Sequence, residues 1–247
     1  TNHPSPRRPK PLNPYKTKYQ DNFSPKAEGN MSMVYVEGNI GAGKSTVLAK
    51  LRELGYRVEP ESVNDTNSMF SRALRGPHTF HLQVAACLDM FDRMQKIDGA
   101  HQNDGDPQND GAHHFLERGI AGLETFMHVA KENESMTTLE YDLCTALKTN
   151  NEKFIQHQQP EMVLFLDVEP ALCLERVRTR NRKGEEGVTL EYLESVQRWY
   201  HKLLFEDPRH RFVVAKVKVL KDWAIEEVVA AVLAAIATTQ ASSCEPR

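Results

Sequence analysis

An α/β fold, a doubly wound parallel five-stranded sheet flanked by helices, is predicted by three features of this 247-residue chain. Short apolar runs alternate with longer segments of helical period. The clearest run, Met162-Val-Leu-Phe-Leu-Asp-Val168, is apolar at consecutive positions, as a strand covered on both faces must be. A glycine-rich turn joins the first run to the first helix, and ligands of such sheets bind at the carboxyl ends of the strands.

The elements follow in order. Strands are predicted over 33–37, 56–60, 113–117, 162–168 and 211–217, each short and rich in apolar or β-branched residues. Helices are predicted over 44–54, 79–97, 119–132, 137–158, 170–180, 189–205 and 222–238. The stretch 230–237 of the last helix is apolar nearly all round and is expected to pack under the sheet.

The turn after the first strand reads Gly38-Asn39-Ile40-Gly41-Ala42-Gly43-Lys44-Ser45-Thr46, with the Walker A spacing of a phosphate-binding loop. Its glycines let successive backbone N–H groups converge on phosphate oxygens. Lys44 supplies a mobile positive charge, the Ser45 hydroxyl suits Mg²⁺, and the helix that follows turns its positive end toward the anion. This strand–loop–helix context implies a P-loop NTPase-type domain that binds ATP.

Composition narrows the rest. A net charge of −3 with 26% charged residues gives no global argument for nucleic acid or membrane as a partner. No apolar stretch approaches the ~20 residues that span a bilayer. Cys87, Cys144, Cys173 and Cys244 are scattered, which suits reduced thiols in the cytoplasm. Residues 1–30 hold six prolines and six Lys/Arg against Asp21 and Glu28, and read as a disordered basic tail. A remnant of an organelle-targeting peptide is the other reading of that tail, which keeps a mitochondrial location open. The domain is expected over 31–240, with a flexible insertion at 98–114 rich in Asp, Gly, Asn and His; a solvated loop is the better account of it than a metal site.

Charged residues near predicted strand ends point from nucleotide binding to phosphoryl transfer. After the second strand comes Glu59-Pro60-Glu61, where a carboxylate can take the proton of an attacking hydroxyl. After the third comes Glu117-Arg118, an acid for Mg²⁺ beside a cation for phosphate or substrate. Arg176, Arg178, Arg180 and Arg182 then lead into the Gly-flanked segment Gly184-Glu185-Glu186-Gly187, as an anion-clamping lid requires.

Taken in order and spacing, these motifs, with Leu82-Gln83-Val-Ala-Ala-Cys-Leu88 and Glu186-Gly-Val-x-Leu-Glu-Tyr-Leu193, resemble the deoxyribonucleoside kinases, a family that includes the animal enzymes and, more distantly, herpesviral thymidine kinases. The resemblance runs from about residue 33 to 205 and more weakly to 238. It implies transfer of the ATP γ-phosphate to the 5′-hydroxyl of a deoxynucleoside, in nucleotide salvage, with Mg²⁺ and in a homodimer built through helices.

Carried over by position, the resemblance makes Glu59 the base, with Glu61 competing because the register can slip by two. Gln83 pairs with the nucleobase, Arg118 steadies the 5′ region, Ser45 and Glu117 serve Mg²⁺, and Lys44, Arg180 and Arg182 act on phosphate. Glu185 reaches the sugar 3′-hydroxyl, while Arg178 and Asp222, within Lys221-Asp222-Trp223, meet the nucleotide. Met90 and Leu123 stand where some members carry polar groups that select cytosine and purines, which suggests a pyrimidine, thymidine in particular. The stacking aromatic falls at Met127 or at Phe126. The family's tryptophan is missing from 64–67, and its serine after Glu-Arg is Gly119.

Two other readings remain at this point. A nucleoside monophosphate kinase of the thymidylate kinase type shares the loop and lid, but wants an arginine where Glu59-Pro-Glu61 is acidic. A nucleotide-binding module without turnover is the second, and Lys44, Ser45 and the lid arginines argue against it.

Overall fold

A computed structural model of the chain describes residues 33–62, 65, 68–74, 78–103, 113–155, 162–207 and 213–243. Its strands are β1 (Met33–Gly38), β2 (Arg57–Glu59), β3 (His114–Glu117), β4 (Met162–Val168) and β5 (Val213–Val219). All pair in parallel, in the order β2-β3-β1-β4-β5. The helices are α1 (Lys44–Glu53), α2 (Met69–Leu74), α3 (Thr79–Asn103), α4 (Ile120–Glu132), α5 (Thr138–Ile155), α6 (Pro170–Arg180), α7 (Leu190–His201) and α8 (Ile225–Ser243), with a π-helical turn at Lys202–Glu206.

Both faces of the sheet are covered, and the two-residue period of a strand divides its side chains between two cores. Val34 and Val36 of β1, with Leu164 and Leu166 of β4, pack toward Val47, Leu51 and the α8 residues Val232 and Ile236. Tyr35, Val163 and Phe165 point the other way, toward Met90 and Phe91 of α3, Leu123 and Met127 of α4 and Tyr200 of α7. The expectation that α8 lies under the sheet is met. Among the described residues, no helix is long and apolar enough to cross a membrane.

Element boundaries differ from expectation in a few places. α3 continues six residues into the segment read as an insertion, to Asn103, and His114 already belongs to β3; residues 104–112 lie outside the described set. A single glycine costs a helix only about 1 kcal/mol relative to alanine, so Gly99 is a weak stop. β5 runs two residues past the expected end, to Val219, with the expected positions 211–212 outside the described residues, and α8 runs to Ser243. α2 was not anticipated. The tail 1–30, the stretch 64 and 66–67, and Cys244 fall outside the described residues.

The order of the strands positions the site. β1 is central, so its carboxyl end and the turn after it lie between β3 and β4. Phe165, fully buried, meets the ring of Tyr200 at 5.3 Å between centroids. Replacing it with alanine is expected to cost about 3–5 kcal/mol by urea unfolding; a loss below about 1 kcal/mol would mean that this side of the sheet collapses around the void.

Candidate active site

The phosphate loop leaves β1 at Gly38 and enters α1 at Lys44. Gly41 and Gly43 are required by geometry. Both have left-handed φ, +80° and +92°, and a Cβ on Gly41 would sit 2.4 Å from the Cys173 carbonyl oxygen of α6. Asn39 does not face the phosphate side. Its Nδ2 donates to the Leu193 carbonyl at 2.8 Å and its Oδ1 accepts the Ile40 N–H at 2.9 Å, so it pins the loop to α7.

Lys44 is buried and donates from Nζ to the carbonyls of Gly38 and Asn39, both at 3.0 Å. Burial, with the Arg118 charge added, pulls its pKa down to about 8, against the attraction of Glu117, Glu61 and Glu37. The Ser45 hydroxyl donates to Glu117 Oε1 at 2.8 Å, bringing together the two oxygen groups expected to serve a metal. A hydroxyl and one carboxylate fit Mg²⁺, which binds hard oxygen and keeps several waters.

Of the two acids around Pro60, it is Glu61 that faces the loop. β2 ends at Glu59, whose backbone registers with Leu116, and the proline turns the chain across the sheet end. Glu61 Oε1 lies 2.8 Å from Arg118 Nε, with the two side chains 11% and 14% exposed. That buried N–H has no acceptor along its own axis, so the contact is a charge pair and not an aligned hydrogen bond. Burial alone would raise the Glu61 pKa; Arg118, Lys44 and Arg93 together hold it below the ordinary carboxylate value. Glu59 is absent from the cavity wall. The placement expected for Glu59 is therefore corrected to Glu61.

Arg118 itself has a left-handed φ of 62°, and its guanidinium lies 4.4 Å above the centroid of Phe126. Burial works against its charge, and the surrounding carboxylates Glu61, Glu37 and Glu117 keep it protonated.

These groups line one cavity of about 460 Å³, within the range of small-molecule sites. Its floor is the phosphate loop from Ile40 to Thr46, apart from Ala42. One wall is α3, which presents Gln83, Ala86, Met90 and Arg93 at helical spacing. Leu123 and Phe126 of α4, with Arg180, Arg182 and Glu185, also line the cavity. Gln83 is only 5% exposed and lines this cavity. A side-chain amide there can both donate to and accept from whatever fills the cavity.

Several expected positions are not brought in. Met127 is buried in the core behind the wall, and Phe126 takes its place. Arg178 is exposed on α6, two residues off the helical phase, while Arg176 reaches Nη1 toward the Ala42 carbonyl at 3.5 Å. Asp222 is exposed after β5 and does not line the cavity, and Lys221 pairs with Glu175 at 2.9 Å. Gly38, Asn39 and Ala42 shape the loop without lining the cavity.

Sequence reasoning missed Arg93. It is 3% exposed, donates to Asp89 Oδ2 and to the Glu117 carbonyl, both at 2.8 Å, and lies one turn beyond Met90 on the same face. The stripe Gln83, Ala86, Met90, Arg93 is the signal that could have found it.

The lid arginines are engaged by Glu185. Arg180 Nη2 lies 2.8 and 2.7 Å from its two oxygens, and Arg182 Nη1 lies 3.5 Å away.

A phosphate loop, a carboxylate–arginine pair and the Gln83 amide thus line one cavity. A family model for deoxynucleoside kinase matches residues 34–237. The chain belongs to the deoxynucleoside kinase family.

It is similar to the deoxyadenosine kinase of Dictyostelium discoideum, 29% identical over 180 residues covering 72% of this chain and 68% of that one. It is similar also to deoxycytidine kinase of Homo sapiens, 27% identical over 204 residues, 70% of this chain and 76% of the human one. The solved structure of a deoxyadenosine kinase from M. mycoides, with dCMP and dCDP bound, shares the fold at 16% identity, with a TM-score of 0.62 over 83% of this chain and 99% of that chain. This kinase is thus a phosphotransferase acting on deoxynucleosides, and neither the monophosphate-kinase reading nor the turnover-free module is retained.

The depressed Lys44 pKa has a measurable consequence. Between about pH 8 and the ordinary lysine value of 10.5 the free fold holds fewer protons at this site than the unfolded chain does. Its stability contribution therefore rises with pH across that window. Triphosphate binding pulls the pKa back up. Calorimetric titration of ATP near pH 8.5, in buffers of different ionisation enthalpy, should show uptake of roughly half a proton or more. The Lys44→Met variant should abolish the uptake, and equal uptake by both proteins would place the titrating group elsewhere.

Proposed function

We propose that this kinase transfers the ATP γ-phosphate to the 5′-hydroxyl of a pyrimidine deoxynucleoside, thymidine favoured, with Glu61 as the base. The observation that carries this reading is the Glu61–Arg118 pair, which lines one cavity together with Lys44 and Gln83. The arginine keeps Glu61 ionised, so it can accept the hydroxyl proton as the 5′-oxygen bonds to the γ-phosphorus. The bond from that phosphorus to the β–γ bridging oxygen breaks, and ADP leaves with the electron pair.

Charge gathers on the phosphoryl oxygens during transfer, and Lys44, Arg118, Arg180 and Arg182 are the cations around that space. Arg180 and Arg182 must first be shared with, or released from, Glu185, and the sugar 3′-hydroxyl gives Glu185 an alternative partner. Ser45 and Glu117 would hold Mg²⁺, which neutralises phosphate charge when bound.

On the nucleobase side, Gln83 can donate and accept at once. Met90 and Leu123 give an exocyclic amine nothing to pair with, which favours a keto pyrimidine over cytosine or adenine. A homodimer is supported by the exposed Leu88 of α3 and Leu139 and Leu143 of α5, on neighbouring helices of one face.

Two measurements test the reading. Glu61→Gln should lower kcat about 10²- to 10⁴-fold with the nucleoside KM little changed, whereas Glu59→Gln should stay near wild type; the reverse pattern would restore Glu59 as the base. Against ATP and Mg²⁺, a panel of the four deoxynucleosides should rank thymidine first by kcat/KM, and a purine at the head of the series would overturn the preference.

A further inference from the structure

Beneath Arg118 lies a second carboxylate that the transfer step does not use. Glu37, next to last in β1, is fully buried. Its Oε1 accepts the N–H of Gly119 at 2.8 Å and of Gly122 at 2.9 Å, and its Oε2 accepts the Tyr200 hydroxyl at 2.9 Å. Gly119 is the N-cap of α4 and Gly122 its third residue. Those are N–H groups that a helix leaves unpaired and that a capping side chain would serve from within the same turn. Gly119 has no side chain to do so. The cap comes instead from a strand 82 residues earlier.

The turn being held is the one that carries Arg118. That residue has left-handed φ, a conformation disfavoured for any residue with a Cβ, and the very next N–H is the one Glu37 takes. Gly122 completes the arrangement. A Cβ there would lie 2.4 Å from Arg118 Cγ and 2.6 Å from Glu37 Oε2, so the arginine stem crosses bare helix backbone directly above the carboxylate. Burial pushes the Glu37 pKa up, while Arg118, the two N–H groups and Tyr200 favour the ionised form. Four partners for one carboxylate is far more than closing a helix end requires.

We propose that Glu37 is a positioning residue for phosphoryl transfer: bonded to Gly119, Gly122 and Tyr200, it locks the turn of Arg118 from below and so sets where the guanidinium meets the acceptor oxygen and the phosphate. The inference rests on the transfer reaction assigned above. Its effect is exerted through Arg118, and that can be measured.

The test is a double-mutant cycle of Glu37→Leu in the wild-type and Arg118→Ala backgrounds, reading kcat and nucleoside KM per folded enzyme. In the wild type, kcat should fall about 30- to 100-fold with KM within about twofold, since a misplaced catalytic group costs about that much. In the Arg118→Ala background the further loss should be under about threefold, because interacting residues are not additive. Equal losses in the two backgrounds, or an unchanged kcat beside a lowered Tm, would leave Glu37 a helix cap and nothing more. Should Glu37→Leu not fold, Tyr200→Phe enters the same cycle, removing one donor and keeping the ring, with an expected kcat loss of about three- to tenfold that likewise vanishes without Arg118. Absence of transfer by the wild type itself would instead count against the reaction assigned above. The position of Arg118 in a crystal structure of the variant then becomes the readout, displaced if the inference holds and unmoved if it does not.

Discussion

The site depends on one ion pair held out of water at the carboxyl end of the sheet. Glu61 and Arg118 arrive from β2 and β3, neighbouring strands, and meet with little solvent around them. Removing one partner of such a pair leaves an uncompensated charge and costs about 3–5 kcal/mol, which is why the pair needs supporting charges of both signs. Those are present: Lys44 and Arg93 on the positive side, Glu37 and Glu117 on the negative. The result is a preformed array in a low-dielectric cleft, where charge acts more strongly than in water. An incoming nucleoside hydroxyl and a triphosphate add one donor and several negative oxygens to it.

The same array explains the local backbone. Left-handed turns at Gly41, Gly43 and Arg118 occur where the chain passes close to a neighbour or must turn a side chain back over the sheet. Glycine tolerates this at two of the three. At Arg118 the chain adopts it with a full side chain, and the adjacent N–H groups are satisfied from β1. Strain at that residue is thus balanced by hydrogen bonds from another element, as strained residues at functional sites require.

Much of this was legible beforehand. The phosphate loop is a local motif, and its spacing specifies its geometry. The central strands β1, β3 and β4 are short runs with both faces buried, and such runs mark a covered sheet, although the order of the strands had to come from the structure. What was not legible depends on where chain segments leave regular structure. Glu59 and Glu61 lie two apart, so both fall on one face of an extended chain, and only the end of β2 decides which one crosses the sheet. Arg176 and Arg178 differ by about 200° around α6, a phase that a run of alternating arginines conceals. Phe126 and Met127 pose the same problem on α4, and there the aromatic ring faces the cavity. Arg93 and Glu37 escaped because each works through partners distant in sequence, Glu117 in one case and Gly119 with Tyr200 in the other.

The most direct measurement is a crystal structure of the kinase with a bisubstrate analogue in which thymidine and adenosine are joined 5′ to 5′ by a polyphosphate. The account predicts phosphates lying over residues 40–46, the thymidine 5′-oxygen within hydrogen-bond distance of Glu61, and the base against Gln83. Phosphates seated away from that turn, or a 5′-oxygen nearer Glu59 than Glu61, would contradict it.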